Sequence, residues 1–244
     1  MLGGMIAVLV VAAVVVVVAN SSGGVAKNAT NVSKTTQKTV QQTVAAELAG
    51  IHQAGNVLGN PNAKITITEY GDLVCSTCAA FAVETEPQVI STWVKAGIAK
   101  LVFRAFDTSS SYNASNQAQF VNTQVAARSA GLQGKEWNYL LTLYQEQPVS
   151  INGGAAETTA YVNLPYLQNR ASQVPGLNLA QWQAHMSDPT LINDVTTDLQ
   201  AVQATGATGS PAIVVSGPRG SHLDTADPGV PQIATLQSLI SQVS

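Results

Sequence analysis

Glu69-Tyr70-Gly71-Asp72-Leu73-Val74-Cys75-Ser76-Thr77-Cys78 joins two kinds of periodicity. Before the cysteines, residues 64–70 alternate and are rich in β-branched side chains (Ile65, Thr66, Ile67, Thr68), the pattern of a strand. From Cys75 onward, residues 75–96 carry apolar side chains at helical spacing, and residues 99–106 read as a second strand. The only two cysteines of the chain therefore fall where a strand gives way to a helix. A disulfide between residues this close encloses too short a loop to stabilise a fold by restricting the unfolded chain, so the pair calls for a chemical explanation.

Placed at a helix N-terminus, the Cys75 sulfur lies beside unpaired backbone N–H groups and the positive end of the helix dipole. Such positions bring a thiol from its usual pKa of ~8.5 down to between ~3.5 and ~7.5, which marks Cys75 as the nucleophile. Cys78, one helical turn on, is expected to be less exposed and to resolve a mixed disulfide. Glu69 stands six residues before Cys75 on the incoming strand. Half-buried there, its carboxyl would have a raised pKa and would serve as general base for the Cys78 proton; a solvated charge at the strand end is the competing reading. A third element is Gly209-Ser210-Pro211, directly before the short strand at residues 212–216. A cis bond before Pro211 would set the Ser210 backbone beside the Cys75 sulfur, with N–H and C=O groups open to an extended substrate, although most X–Pro bonds are trans.

The remainder of the chain frames this centre. Helices are predicted over residues 117–131, 135–147, 159–173 and 188–205, the last with Asp188 as N-cap and Pro189 at its first position. A polar loop with Gly153-Gly154 interrupts them, and residues 217–220 make a turn before an amphipathic helix at 232–243. The resulting order is β-α-β, a helical insertion over about 112–205, then β-β-α. Upstream, residues 21–59 are rich in Ser, Thr, Asn, Gln and Ala and read as a polar linker, with a few helical turns around residues 39–52; the globular domain is expected over 60–244. Residues 1–20 are almost wholly apolar, close to the ~20 residues that span a hydrocarbon core, and read as a transmembrane anchor or a cleaved signal segment. Lys27, Lys34 and Lys38 follow this segment and no Lys or Arg precedes it, the reverse of the charge bias expected for an exported C-terminal domain.

At 244 residues and 45% hydrophobic content the chain supports one catalytic domain. A net charge of -3 without a dense Lys/Arg run argues against nucleic-acid partners. No metal is expected, because His52, His185 and His222 are scattered and no second cysteine pair exists. Neither a nucleophile elbow nor a Gly-rich phosphate loop occurs. Trp93, Trp137, Trp182, Phe81, Phe103 and Phe106 fit core faces of helices and strands.

Four ordered landmarks together resemble the DsbA-like branch of the thioredoxin superfamily, in its membrane-anchored form: Glu69 to Cys78, Leu101-Val102-Phe103-Arg104-Ala105-Phe106, the segment ending Gln133-Gly134-Lys135-Glu136-Trp137, and Gly206-Ala207-Thr208-Gly209-Ser210-Pro211-Ala212-Ile213-Val214-Val215. The resemblance implies an α/β thioredoxin fold with an inserted helical subdomain, a cis bond before Pro211, an exposed attacking Cys75 and Glu69 as a buried acid. It implies no cofactor beyond the redox-active Cys75–Cys78 disulfide. It implies a monomeric oxidase outside the cytoplasm, held to the membrane by its N-terminal helix, that donates disulfides to folding exported proteins and is reoxidised by a membrane quinone-linked thiol oxidase. Two departures bear on direction: Ser76 stands where many relatives carry Pro, and Thr77 where strong oxidants carry His. The Ser76, Thr77 and Ser210 hydroxyls remain as possible thiolate donors, and C-x-x-C proteins range from ~-270 to ~-120 mV, so reductase or isomerase action stays open. A non-catalytic binding module with an inert pair is the remaining alternative.

Overall fold

A computed structural model describes residues 39–112, 114–147, 162–227 and 229–244. The expected membrane segment at 1–20, the first part of the linker and the Gly153-Gly154 loop lie outside the described residues. Among those described, no helix is long and apolar enough to cross a membrane.

The strand predicted before the cysteines forms β3, Ile65–Gly71, at the centre of a six-stranded sheet. Its alternation sends Ile65, Ile67 and Glu69 into the interior. β4, Ala99–Ala105, lies parallel to it, pairing Ile65 with Ala99 through Gly71 with Ala105. On the other side β5, Ala212–Gly217, runs antiparallel, with Glu69 opposite Ile213 and Tyr70 opposite Ala212. β6, Gly220–Leu223, extends that edge. The order β-α-β, helices, β-β-α is thus realised as an α/β fold with the N-terminal end of the cysteine helix at the middle of the sheet.

The fold begins earlier than expected. Residues 40–58, assigned to the linker above, form α1 (Val40–Glu47) and a small hairpin, β1 (Gln53–Ala54) and β2 (Val57–Leu58), which adds antiparallel to β4. Val44, Leu48 and Leu58 are buried in the main core. Asn56 clamps the hairpin to the sheet: its amide donates to the Phe103 carbonyl at 2.8 Å, and its own carbonyl accepts Phe103 N–H at 3.0 Å and Trp137 Nε1–H at 3.1 Å. Two-residue strands are too short to display alternation, but Thr39-x-x-Gln42 is a capping box, with both reciprocal hydrogen bonds formed, and marks the start of α1.

The continuous helix expected over 75–96 is broken. α2 is Ser76–Glu84 and α3 is Glu86–Val89, continued by a π-helical turn at Ile90–Val94. Pro87 supplies no N–H for the Val83 carbonyl four residues back, which ends the first helix. The insertion comprises α4 (Ser109–Tyr112), α5 (Gln117–Gly131), α6 (Glu136–Gln145), α7 (Leu164–Ser172), α8 (Leu179–Ala184) and α9 (Pro189–Gln203). Asp188 caps α9 as predicted, accepting Thr190 N–H at 2.8 Å. The short α8 was not foreseen; Asn178 caps it and Trp182 is its buried anchor. Arg128 of α5 is enclosed between Glu136 of α6 and Asp198 of α9, and Asp198 also accepts the Ala105 N–H at the end of β4, so one ion cluster ties the insertion to the sheet. α10, Ile233–Val243, closes the fold against β5 and β6 through Leu236, Leu239, Ile240 and Val243.

Candidate active site

β3 delivers the chain to the core end of the sheet, and residues 72–75 turn it into α2. Cys75 is the N-cap of that helix, in extended conformation (φ -79°, ψ 126°), with its carbonyl already accepting Ala79 N–H at 3.1 Å. Its sulfur therefore sits beside the N–H groups of the helix's first turn. Both cysteines are thiols here. Cys75 keeps 5% of its surface and Cys78 none, so the expected order of access holds, although Cys75 is more enclosed than the resemblance implied. Burial, and next the neighbouring Cys75, push the Cys78 thiol well above the ordinary range; the Ser210 hydroxyl opposes that push.

The Ser210–Pro211 bond is cis, and the turn it makes faces Cys75, whose thiol donates to the Ser210 carbonyl at 3.6 Å. Thr77, Ser210, Pro211, Leu223, Asp224 and Asp227 help line a groove of about 420 Å³ alongside this contact. Ser76 is exposed at the start of α2 and Thr77 half-buried behind it. The cysteines, Thr77, Ser210 and Pro211 are thus brought together as the sequence suggested. None of the histidines joins them: His185 faces Asp188 at the start of α9, and His222 lies on the edge strand β6. The large aromatics occupy the core as predicted, except Phe106, which is half-buried.

Glu69 is fully buried, which removes the reading of a solvated strand-end charge. Burial pushes its carboxyl up to about 8, an effect opposed by Glu86 and Tyr144 and reinforced by Cys75. Glu86, at the start of α3, is equally buried and is pushed well above the ordinary carboxyl range, by burial and then by the charges of Glu69 and Glu47. Each acid affects the other: Glu86 opposes the rise at Glu69, and Glu69 adds to the rise at Glu86. At neutral pH Glu69 therefore holds a proton within electrostatic reach of Cys78. Glu86 was not anticipated, although helical spacing sets it on the buried face with Cys78, Ala82 and Ile90.

A second buried acid also escaped the sequence. Asp72 accepts N–H from Val74 at 3.1 Å through Oδ1, and from Thr108 and Ser109 at 3.1 and 2.8 Å through Oδ2. Burial raises it only to about 6, since these three donors stabilise the charge. Its backbone carbonyl accepts Cys75 N–H at 2.9 Å and the Tyr144 hydroxyl at 3.4 Å. Gly71 permits this crowding: a Cβ there would lie 2.7 Å from Phe103 Cε2, 2.9 Å from the Tyr144 hydroxyl and 3.0 Å from Glu69 Oε1.

Residues 52–227 match the family described as Thioredoxin. No curated protein matches the sequence. Among solved structures, BdbD from Bacillus subtilis in its oxidised form superposes with a TM-score of 0.62 at 17% identity, over 79% of this chain and 96% of that one. Wolbachia pipientis alpha-DsbA1 gives 0.58 at 17% identity, over 77% and 89%, and Pseudomonas aeruginosa DsbA2 gives 0.55 at 20%, over 78% and 94%. These likenesses are of fold; the family match spans most of the domain and includes the cysteine pair. The chain belongs to the thioredoxin family and has a DsbA-like fold.

Proposed function

We propose that the protein donates disulfides to exported proteins as they fold, outside the cytoplasm. The observation that carries this reading is the full burial of Cys78 near the raised Glu69 carboxyl, while Cys75 keeps some exposed surface and faces Ser210, which lines the groove. In the oxidised protein a substrate thiolate attacks the Cys75 sulfur, the Cys75–Cys78 bond breaks, and Cys78 leaves as a thiolate. A buried thiolate with so high a pKa takes up a proton at once, and Glu69 supplies it. A second substrate thiolate then attacks the substrate sulfur of the mixed disulfide and releases Cys75. The substrate loses two electrons and the pair gains them.

Ser210 backbone groups would hold the substrate as an extended strand beside Cys75, with Ser76 and Thr77 at the rim. Regeneration requires an electron acceptor, and the apolar segment at 1–20 favours a membrane quinone-linked thiol oxidase in that role. Held at a membrane through that segment, a single domain would meet both its reoxidant and emerging chains at raised effective concentration. The protein would act as a monomer with no cofactor other than its own cysteine pair. Equilibrating it with glutathione buffers tests the direction: a potential near ~-120 mV supports donation, whereas one near ~-270 mV identifies a reductant. A pair that refuses to exchange would reject catalysis altogether.

A further inference from the structure

The groove beside Cys75 combines apolar surface with uncompensated negative charge. β5 leaves the cis turn at Pro211 and pairs Val214 with Leu223 of β6. One residue on, Asp224 N–H donates to the Ile213 carbonyl at 2.8 Å, which holds Asp224 level with the residues that follow Pro211. Pro211, Ala212 and Leu223 supply apolar lining, and Asp224 and Asp227 line the same cavity of about 420 Å³. Both carboxylates are fixed by backbone N–H groups: Asp224 Oδ1 accepts from Ala226 at 3.0 Å and Asp227 Oδ2 from Gln232 at 2.8 Å. Asp224 Oδ2 is buried and has no hydrogen-bond partner. Among the described residues no Lys, Arg or His lines the cavity, and neither aspartate enters an ion pair.

Two partly desolvated carboxylates without a counter-charge favour a cation between them and repel an anion. A lysine or arginine side chain matches both parts of the groove, with an apolar stem for Pro211 and Leu223 and a charged head for the aspartates. The Cys75 thiol donates to the carbonyl of Ser210, which itself lines the cavity, so a substrate cysteine joined to Cys75 brings its own sequence neighbours there. An extended chain advances by about 3.3 Å per residue, which puts a long side chain one or two positions from that cysteine within reach of the groove. We propose that Asp224 and Asp227 are specificity-determining residues that favour substrate cysteines flanked by lysine or arginine. The inference rests on the thiol-exchange reading above and names the substrate class that this exchange prefers.

The test uses two peptides of one sequence that differ only beside a central cysteine, lysine in one and glutamate in the other. The rate at which each reduces the oxidised protein is divided by its rate with hydroxyethyl disulfide, an uncharged reference that removes the peptides' intrinsic difference in thiol reactivity. Burial raises the Asp224 carboxyl, so rates are compared at about pH 8, where both aspartates are anionic. The lysine peptide should be favoured by roughly tenfold, and about 1 M salt should erase most of that preference. Asp224→Asn/Asp227→Asn keeps an oxygen for each backbone N–H and should bring the ratio close to one, while Asp227→Lys should favour the glutamate peptide. Equal normalised rates in wild type, or a preference that survives in the double variant, would overturn the inference. Should dithiothreitol fail to reduce the oxidised protein, the thiol-exchange reading falls. Binding still decides the groove in that case: the lysine peptide with serine in place of its cysteine should shift the amide NMR signals of Leu223, Asp224 and Asp227, and the glutamate peptide should not. Shifts with calcium ions but not with the lysine peptide would make the carboxylates a metal site and reject the proposal.

Discussion

Glu69 and Asp72 are three residues apart, both wholly buried and both beside the cysteines, but their carboxyls meet different partners. Asp72 collects three backbone N–H groups and a hydroxyl. Glu69 faces another acid and one tyrosine, with no cation. Burial raises both, to about 6 and about 8, so at neutral pH one is a charge that organises loops and the other a proton store. Burial alone does not assign a carboxyl its role; the donors around it do.

The largest effects identify the sulfur that each acid serves. Cys75→Ser should abolish exchange, whereas Cys78→Ser should accumulate mixed disulfides with substrate proteins, visible on non-reducing gels. Equal inertness of the two variants would place the reacting sulfur elsewhere and dissolve the contrast between the acids.

Removing each acid should then move stability in opposite directions. Asp72→Ala leaves the N–H groups of Val74, Thr108 and Ser109 without an acceptor in or near the core, a loss on the order of 3 kcal/mol in urea denaturation at pH 7. Glu69→Gln should stabilise at alkaline pH. The Glu69 carboxyl titrates at 4.5 in the unfolded chain and at about 8 in the folded protein. Between those values the folded state holds a proton that the unfolded chain has lost, and stability declines as pH rises through the window. Glutamine cannot ionise, so the variant should gain on the order of 4 kcal/mol over wild type near pH 8 and almost nothing near pH 4. Its exchange should nevertheless slow by roughly tenfold or more as the Cys78 proton loses its carrier. A uniform gain at all pH values would mean that Glu69 carries no shifted proton.

How far these features were legible in the sequence follows from the range over which each is determined. The strand at β3, the start of the cysteine helix and Asp188 before Pro189 are local patterns, and all appear within a few residues of their predicted places. Glu69 was legible because period two in a strand assigns a side chain to a face. Asp72 belongs to a turn, where no period applies, and its partners Thr108 and Ser109 come from beyond β4. Glu86 keeps the helical phase of Cys78, Ala82 and Ile90 across the break at Thr85, so its burial was legible from the 3.6-residue period and was passed over. The hairpin at 53–58 was taken for linker because its anchor, Asn56 to Phe103 and Trp137, is made entirely across the chain.

The smallest effect expected lies at Tyr144, whose hydroxyl touches both acids' territories. It donates to the Asp72 carbonyl at 3.4 Å and lowers the pKa of Glu69. Tyr144→Phe leaves the Asp72 carbonyl satisfied, because Cys75 N–H still occupies it at 2.9 Å, and the Asp72 carboxyl keeps all its donors. The loss in stability should therefore stay near 1 kcal/mol at neutral pH. Glu69, deprived of a donor to its charged form, should titrate higher than in wild type, so the alkaline decline in stability should extend to higher pH while the acid limb set by Asp72 stays in place. Denaturation midpoints across the pH range separate the two limbs. If both moved together, the two carboxyls would form one coupled system rather than two separately solvated acids.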